Sequence, residues 1–93
     1  MPFHVYILTN RTRTLYAGVT SDLRTRVARH KSHEIPGFTQ RYNVDKLVYA
    51  EAFPDPVSAI EREKRIKRMT RAKRIKLIER ENPEWLALAA RLW

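Results

Sequence analysis

The chain has no cysteine, only two glycines, and ten acidic residues against nineteen Lys and Arg. Without cysteine there can be no disulfide staple, no disulfide-linked partner, no thiol nucleophile and no cysteine-based zinc site, which fits a cytoplasmic location. Two glycines rule out a glycine-rich phosphate loop. No apolar run reaches the roughly 20 residues that a bilayer-spanning helix needs, and the amino terminus has no signal-peptide pattern. Ser-His-Asp order, a metal-spaced histidine pair, internal repeats and linkers are all missing. Ninety-three residues therefore read as one domain, 1–93, around a single modest core.

The shortage of acid leaves a formal charge of +9 and a pI near 10.5. Between Glu61 and Arg80 ten Lys or Arg face three Glu. Several of these cations belong to a solvated helix surface. As a patch they point to a polyanion, because each neutralised phosphate releases condensed counterions. An acidic membrane is the rival partner, but no bulky aromatic face alternates with the basic one. Nucleic acid, DNA first, is the expected partner; oligomeric state is not readable.

Phe3, Val5 and Ile7 alternate with His4 and Tyr6, the period of a pleated strand. The polar run Thr9–Thr14 interrupts this pattern, and Leu15, Tyr16 and Val19 resume it. A β-hairpin follows, with Tyr6 and Tyr16 on neighbouring strands and Gly18 where something can approach the backbone closely. Paired tyrosines are ordinarily cross-strand packing partners. Thr20, Ser21 and Asp22 offer helix caps, after which Leu23, Val27 and His30 share one helix face with Arg26 beside it. Taken alone, Arg26 is a surface cation and His30 a boundary residue.

These residues together resemble the signature of the GIY-YIG nuclease superfamily, in particular its small single-domain bacterial branch. Val5-Tyr6-Ile7 stands for the first triplet, with His4-Val5 where the family has Gly-Ile. Tyr16-Ala17-Gly18 stands for the second triplet, with alanine for isoleucine. The helix YAGVTSDLRTRVARH leads into has the arginine three after a leucine and four before a histidine, which selects Arg26 and His30. Arg24 is then one of several phosphate contacts.

Pro36-Gly37 is a strong turn signal, and Phe38, Thr39, Arg41 and Tyr42 follow it; Tyr42 either anchors the loop or lines a substrate groove. In KLVYAEAF, Leu47, Tyr49 and Glu51 fall on one face and Val48, Ala50 and Ala52 on the other, giving a third strand. Asp55 and Pro56 make an N-cap and first helical residue. In the helix that follows, Glu63 lies between Ala59, Ile60 and Ile66 on the apolar stripe, and Glu61 faces solvent. A core-facing carboxylate is costly unless it is paired, hydrogen-bonded or coordinating a metal. A salt bridge to an arginine of the sheet or first helix is one outcome. The resemblance implies the other, because the family's metal-binding glutamate stands four after a small residue, and counting from Ala59 gives Glu63.

Thr70 caps a further helix with Ala72, Ile75 and Ile78 as its apolar stripe and Lys73, Arg74 and Lys76 as nucleic-acid contacts. Asn82-Pro83-Glu84 reads as the start of a docking helix over 83–93, with Asn82 as N-cap or, by the resemblance, as a site-lining residue. The expected fold is α+β: a three-stranded antiparallel β-sheet, strands 3–9, 14–19 and 46–53, flanked by α-helices near 22–32, 56–68, 71–81 and 84–92. The resemblance implies an endonuclease-like domain hydrolysing DNA phosphodiesters. One Mg²⁺ or Mn²⁺ would sit on Glu63, Arg26 on the phosphate, Tyr6 on the water, and Tyr16 and His30 in support. The alternative is a non-catalytic nucleic-acid-binding module on DNA or structured RNA.

Overall fold

The computed structural model describes residues 2–92. Strands β1 (Phe3–Thr9), β2 (Leu15–Thr20) and β3 (Lys46–Phe53) form one antiparallel sheet in the order β2-β1-β3. The helices are α1 (Leu23–Lys31), α2 (Phe38–Arg41), α3 (Pro56–Arg68), α4 (Arg71–Glu81) and α5 (Ala89–Leu92). The α+β expectation therefore holds, with strand and long-helix boundaries within a residue or so. Among the described residues no helix is long and apolar enough to cross a membrane.

The central strand has no free edge and buries both faces. Val5 and Ile7 pack with Ala59 and Ile66 of α3 and Leu77 and Ile78 of α4. Tyr6 and Leu8 pack on the other face with Leu23 and Val27 of α1. Each such fully buried aliphatic side chain contributes about 1.5–3 kcal/mol. The helix starts are fixed by side-chain caps: Asp22, Asp55 and Thr70 accept hydrogen bonds from the backbone N–H of Thr25, Ser58 and Lys73.

The hairpin loop closes without glycine. Asn10 Oδ1 accepts from the N–H groups of Thr12 (3.1 Å) and Thr14 (2.9 Å), and Arg13 takes a left-handed conformation at φ 60°. An asparagine thus supplies from its side chain the turn bonds that a tight primed turn would draw from glycine backbone.

Four expectations are corrected. A β-bulge between Ile7 and Leu8 on the β1–β3 ladder resets the alternation of β3. Leu47 consequently joins the α1 side, while Tyr49 lies on the α3 side with Val48. On α4 the buried residues are Leu77 and Ile78 with Ile75 half-buried, and Ala72 is exposed. The docking helix over 83–93 is helical only at Ala89–Leu92, its final residue lying outside the described ones. Asn82 caps the carboxyl end of α4 rather than opening a helix. Its Oδ1 accepts from Leu86 N–H and its Nδ2 donates to the carbonyls of Val48 and Leu86. Trp85 follows at φ 56°, buried, with its ring under the Arg13 guanidinium (4.4 Å) and its indole N–H donating to Glu79 (2.7 Å). Burying the indole outweighs the helical pattern around it.

Candidate active site

Tyr6 sits in the middle of the sheet, opposite Gly18 on β2 and Ala50 on β3. Its side chain is 1% exposed and lies across Gly18. A Cβ at position 18 would stand 2.5 Å from the Tyr6 hydroxyl and 2.6 Å from Cζ. The close approach expected at Gly18 is therefore that of a neighbouring tyrosine ring. Gly18 leaves open the slot through which Tyr6 presents its hydroxyl.

Around that hydroxyl stand three of the other residues singled out in the sequence. His30, on the inward face of α1 and 4% exposed, holds Nε2 at 3.3 Å from Tyr6 Oη. Tyr16, half-buried, completes a triangle of rings with centroids 5.7 Å from His30 and 6.4 Å from Tyr6. Arg26, one turn before His30, is half-buried and acts on both groups. Thr39 is the addition that sequence reasoning did not supply. It is the buried residue of α2, and its Oγ1 lies 3.0 Å from His30 Nδ1. Both ring nitrogens are thus engaged, and a neutral imidazole accepts at one and donates at the other. A threonine in a four-residue helix has no periodicity to mark it as inward-facing.

The electrostatics are those of a closed, uncharged pair. Burial, with the Tyr16 hydroxyl adding to it, pushes the Tyr6 phenol up to about 12 against the pull of the Arg26 guanidinium. Burial also holds the His30 imidazole below its ordinary 6.5, and the Arg26 charge acts in the same direction. At neutral pH Tyr6 is a phenol and His30 an uncharged imidazole.

Glu63 projects from the inward side of α3, and its negative charge is felt at the Tyr6 hydroxyl. Its side chain is 16% exposed, and its Oε2 lies 3.3 Å from Lys67 Nζ. The salt-bridge partner is thus a lysine one turn along the same helix, not an arginine of the sheet or α1. The Glu-x-x-x-Lys spacing carried that information. The arginine bridge instead forms between Arg62 and Glu51 (3.1 Å), where Glu51 also accepts from the Tyr49 hydroxyl (2.6 Å). Among the described residues no group of three His, Cys, Asp or Glu is placed to hold a metal. A single carboxylate fits Mg²⁺, which keeps several waters and takes one or two protein carboxylates. The Lys67 head is half exposed and free to turn away.

The remaining candidates lie further out. Arg24, Lys73 and Lys76 are exposed, whereas Arg74 is half-buried with Nε enclosed and without a partner among the described residues. Because α4 packs on the face of the sheet opposite α1, its lysines do not share a surface with His30 by construction. Asn82 is buried with its amide committed to backbone partners, which leaves it no site-lining role. Tyr42 is exposed and its carbonyl accepts from Asn10 Nδ2 (2.8 Å), so it is the backbone that anchors the loop.

The family described as the GIY-YIG catalytic domain matches residues 2–76. A UPF0213 protein of Natronomonas pharaonis is 36% identical over 75 residues, covering 81% of this chain and 88% of the relative. One from Staphylococcus haemolyticus is 33% identical over 76 residues, covering 82% and 93%. The solution structure of a UPF0213 protein of Bacillus halodurans superposes with a TM-score of 0.60 at 28% identity, over 91% of this chain and 90% of that one. This chain belongs to the GIY-YIG family, beside the small UPF0213 proteins of bacteria and archaea.

Proposed function

We propose that the protein is a divalent-metal-dependent endonuclease that hydrolyses DNA phosphodiester bonds at the Tyr6–His30 cluster. The observation that carries this reading is the Tyr6 hydroxyl, buried against Gly18 and held 3.3 Å from a neutral His30, with Arg26 beside both. Glu63 is the residue that would hold Mg²⁺ or Mn²⁺, and the ion would supply charge neutralisation to the phosphate oxygens. Arg26 clamps the non-bridging oxygens, for which the guanidinium fork is suited.

A phenol titrating at about 12 is a poor reservoir of phenolate at neutral pH. The geometry favours a relay instead. Tyr6 donates its proton to His30 Nε2 while its oxygen receives one from the attacking water. Thr39 Oγ1 accepts from His30 Nδ1–H and fixes the tautomer that leaves Nε2 open. Tyr16 packs against both rings and orients them. The net charge of +9 supports a nucleic-acid substrate through the counterion term.

A second reading, a binding module without cleavage, draws on Glu63 being paired with Lys67. Nicking of supercoiled plasmid in Mg²⁺ or Mn²⁺, abolished by chelator and by Tyr6→Phe, is the outcome expected of the enzyme. Salt-sensitive DNA binding with no metal-dependent nicking would replace it with the module.

A further inference from the structure

From the Tyr6–Tyr16–His30 triangle a row of rings runs outward along α2. Phe38 stacks on Tyr16 at 6.5 Å with 25° between planes, and Tyr42 leans on Phe38 at 4.9 Å. The last two are 45% and 46% exposed. The core does not account for their exposure, because Thr39 and Val44 are the buried anchors of this segment. Hydrogen bonds from Asn10 to the Tyr42 carbonyl and from Gln40 to the His33 carbonyl tie its backbone down. Two partly exposed rings on a backbone tied down by hydrogen bonds lose little further entropy when a ligand packs on them.

Beside Tyr42 a groove of about 550 Å³ opens between the hairpin loop and the start of β3. Arg11 and Lys46 bring positive charge to it, Asn43 an amide, and Asp45 its one carboxylate, which faces His33 at 3.9 Å. Arg41 lies over the Tyr42 ring at 5.6 Å. An aromatic face for a base beside cations for a phosphate is the chemistry of single-strand recognition. A base within a duplex is already stacked on both sides and cannot offer its face to Tyr42.

We infer that Phe38 and Tyr42 form a stacking platform for an unpaired nucleotide next to the phosphate held at Tyr6. The inference rests on the proposed nuclease reading and names its substrate class: DNA with a single-stranded stretch at the cleavage point. The groove takes the sugar-phosphate of that nucleotide between Arg11 and Lys46, and the row of rings leads the strand toward Tyr16.

The test is binding in EDTA, so that no cleavage is needed. The probes are a labelled 15-mer oligodeoxythymidine, the same oligomer with an internal 2-aminopurine, and a blunt duplex of equal length. Wild-type protein should bind the single strand and quench the 2-aminopurine. Phe38→Ala and Tyr42→Ala should each weaken single-strand binding by roughly 5- to 150-fold, abolish quenching and leave duplex binding close to wild type. Tyr42→Trp should retain both signals. Should an alanine variant fail to fold, Tyr42→Leu, apolar but without a π face, carries the same expectation. Equal losses on single strand and duplex, or no loss on either, would overturn the platform. Plasmid nicking by a wild type that shows no aromatic-dependent binding overturns the platform alone. Aromatic-dependent binding without metal-dependent cleavage overturns the nuclease reading alone.

Discussion

Tyr6 and Gly18 are a coupled pair: the ring of one occupies the space where a side chain of the other would be. The atoms in conflict belong to a buried ring, so an added methyl cannot be relieved by a swing into solvent. Gly18→Ala should destabilise by about 1–3 kcal/mol, as overpacking does, and lower nicking although no chemical group is removed. Urea melts of Gly18→Ala, Tyr6→Ala and the double variant make a cycle that isolates the contact. In the Tyr6→Ala background the glycine substitution should cost far less. Additive effects would mean that Gly18 is needed for another reason.

Glu63→Gln is nearly isosteric and removes the charge that would hold a divalent ion. Its observed partner is a half-exposed lysine on the same helix, and such pairs are worth about 0.2–0.5 kcal/mol. The variant should therefore melt close to wild type, bind DNA and lose metal-dependent nicking. Glu61→Gln, on the exposed side of α3, should change neither. Undiminished nicking by Glu63→Gln, or equal loss in both variants, would remove the metal-site assignment.

Lys73 and Lys76 are exposed on α4, across the sheet from α1, while the enclosed Nε of Arg74 makes that side chain a poorer probe. If α4 contacts the DNA backbone, Lys73→Ala with Lys76→Ala should reduce the slope of log K against log salt by about one to two. Cleavage should stay metal-dependent. An unchanged slope would put the phosphate contacts at Arg11 and Arg24, on the hairpin and α1.

How much of this was legible in the sequence depended on whether a residue's place was set locally. The strands, the capped helices and the inward face of α1 follow from period and cap chemistry, whereas Tyr6, Tyr16, Arg26 and His30 are named together only by the resemblance to the GIY-YIG signature. Leu47 was misplaced because a bulge on the β1–β3 ladder is a property of the pair, invisible in either strand alone. The last helix was overextended because Trp85 is held by Arg13 and Glu79, which lie far from it or behind it in the chain. Thr39 and the partner of Glu63 show the contrast within the candidate site. One needed tertiary structure, and the other was written in a four-residue spacing.

His30 gives the structure a pH dependence whose sign can be worked out. Burial and Arg26 hold its folded-state value below the 6.5 of an unfolded chain. Just below pH 6.5 the unfolded state therefore binds more protons, and stability falls as pH drops through that window. The same protonation removes the acceptor that Nε2 offers to Tyr6, so nicking should lose rate along an acidic limb lying below pH 6.5. Asp45 raises the His30 value by its charge, so Asp45→Asn should move the limb to still lower pH. Melting temperatures at pH 7.5 and 5.5 separate this from a general acid effect. His30→Asn should start less stable, having lost its bonds to Tyr6 and Thr39, yet lose less on acidification than wild type. An acid loss in His30→Asn equal to that of wild type, or a limb in Asp45→Asn that moves to higher pH, would show that another group titrates.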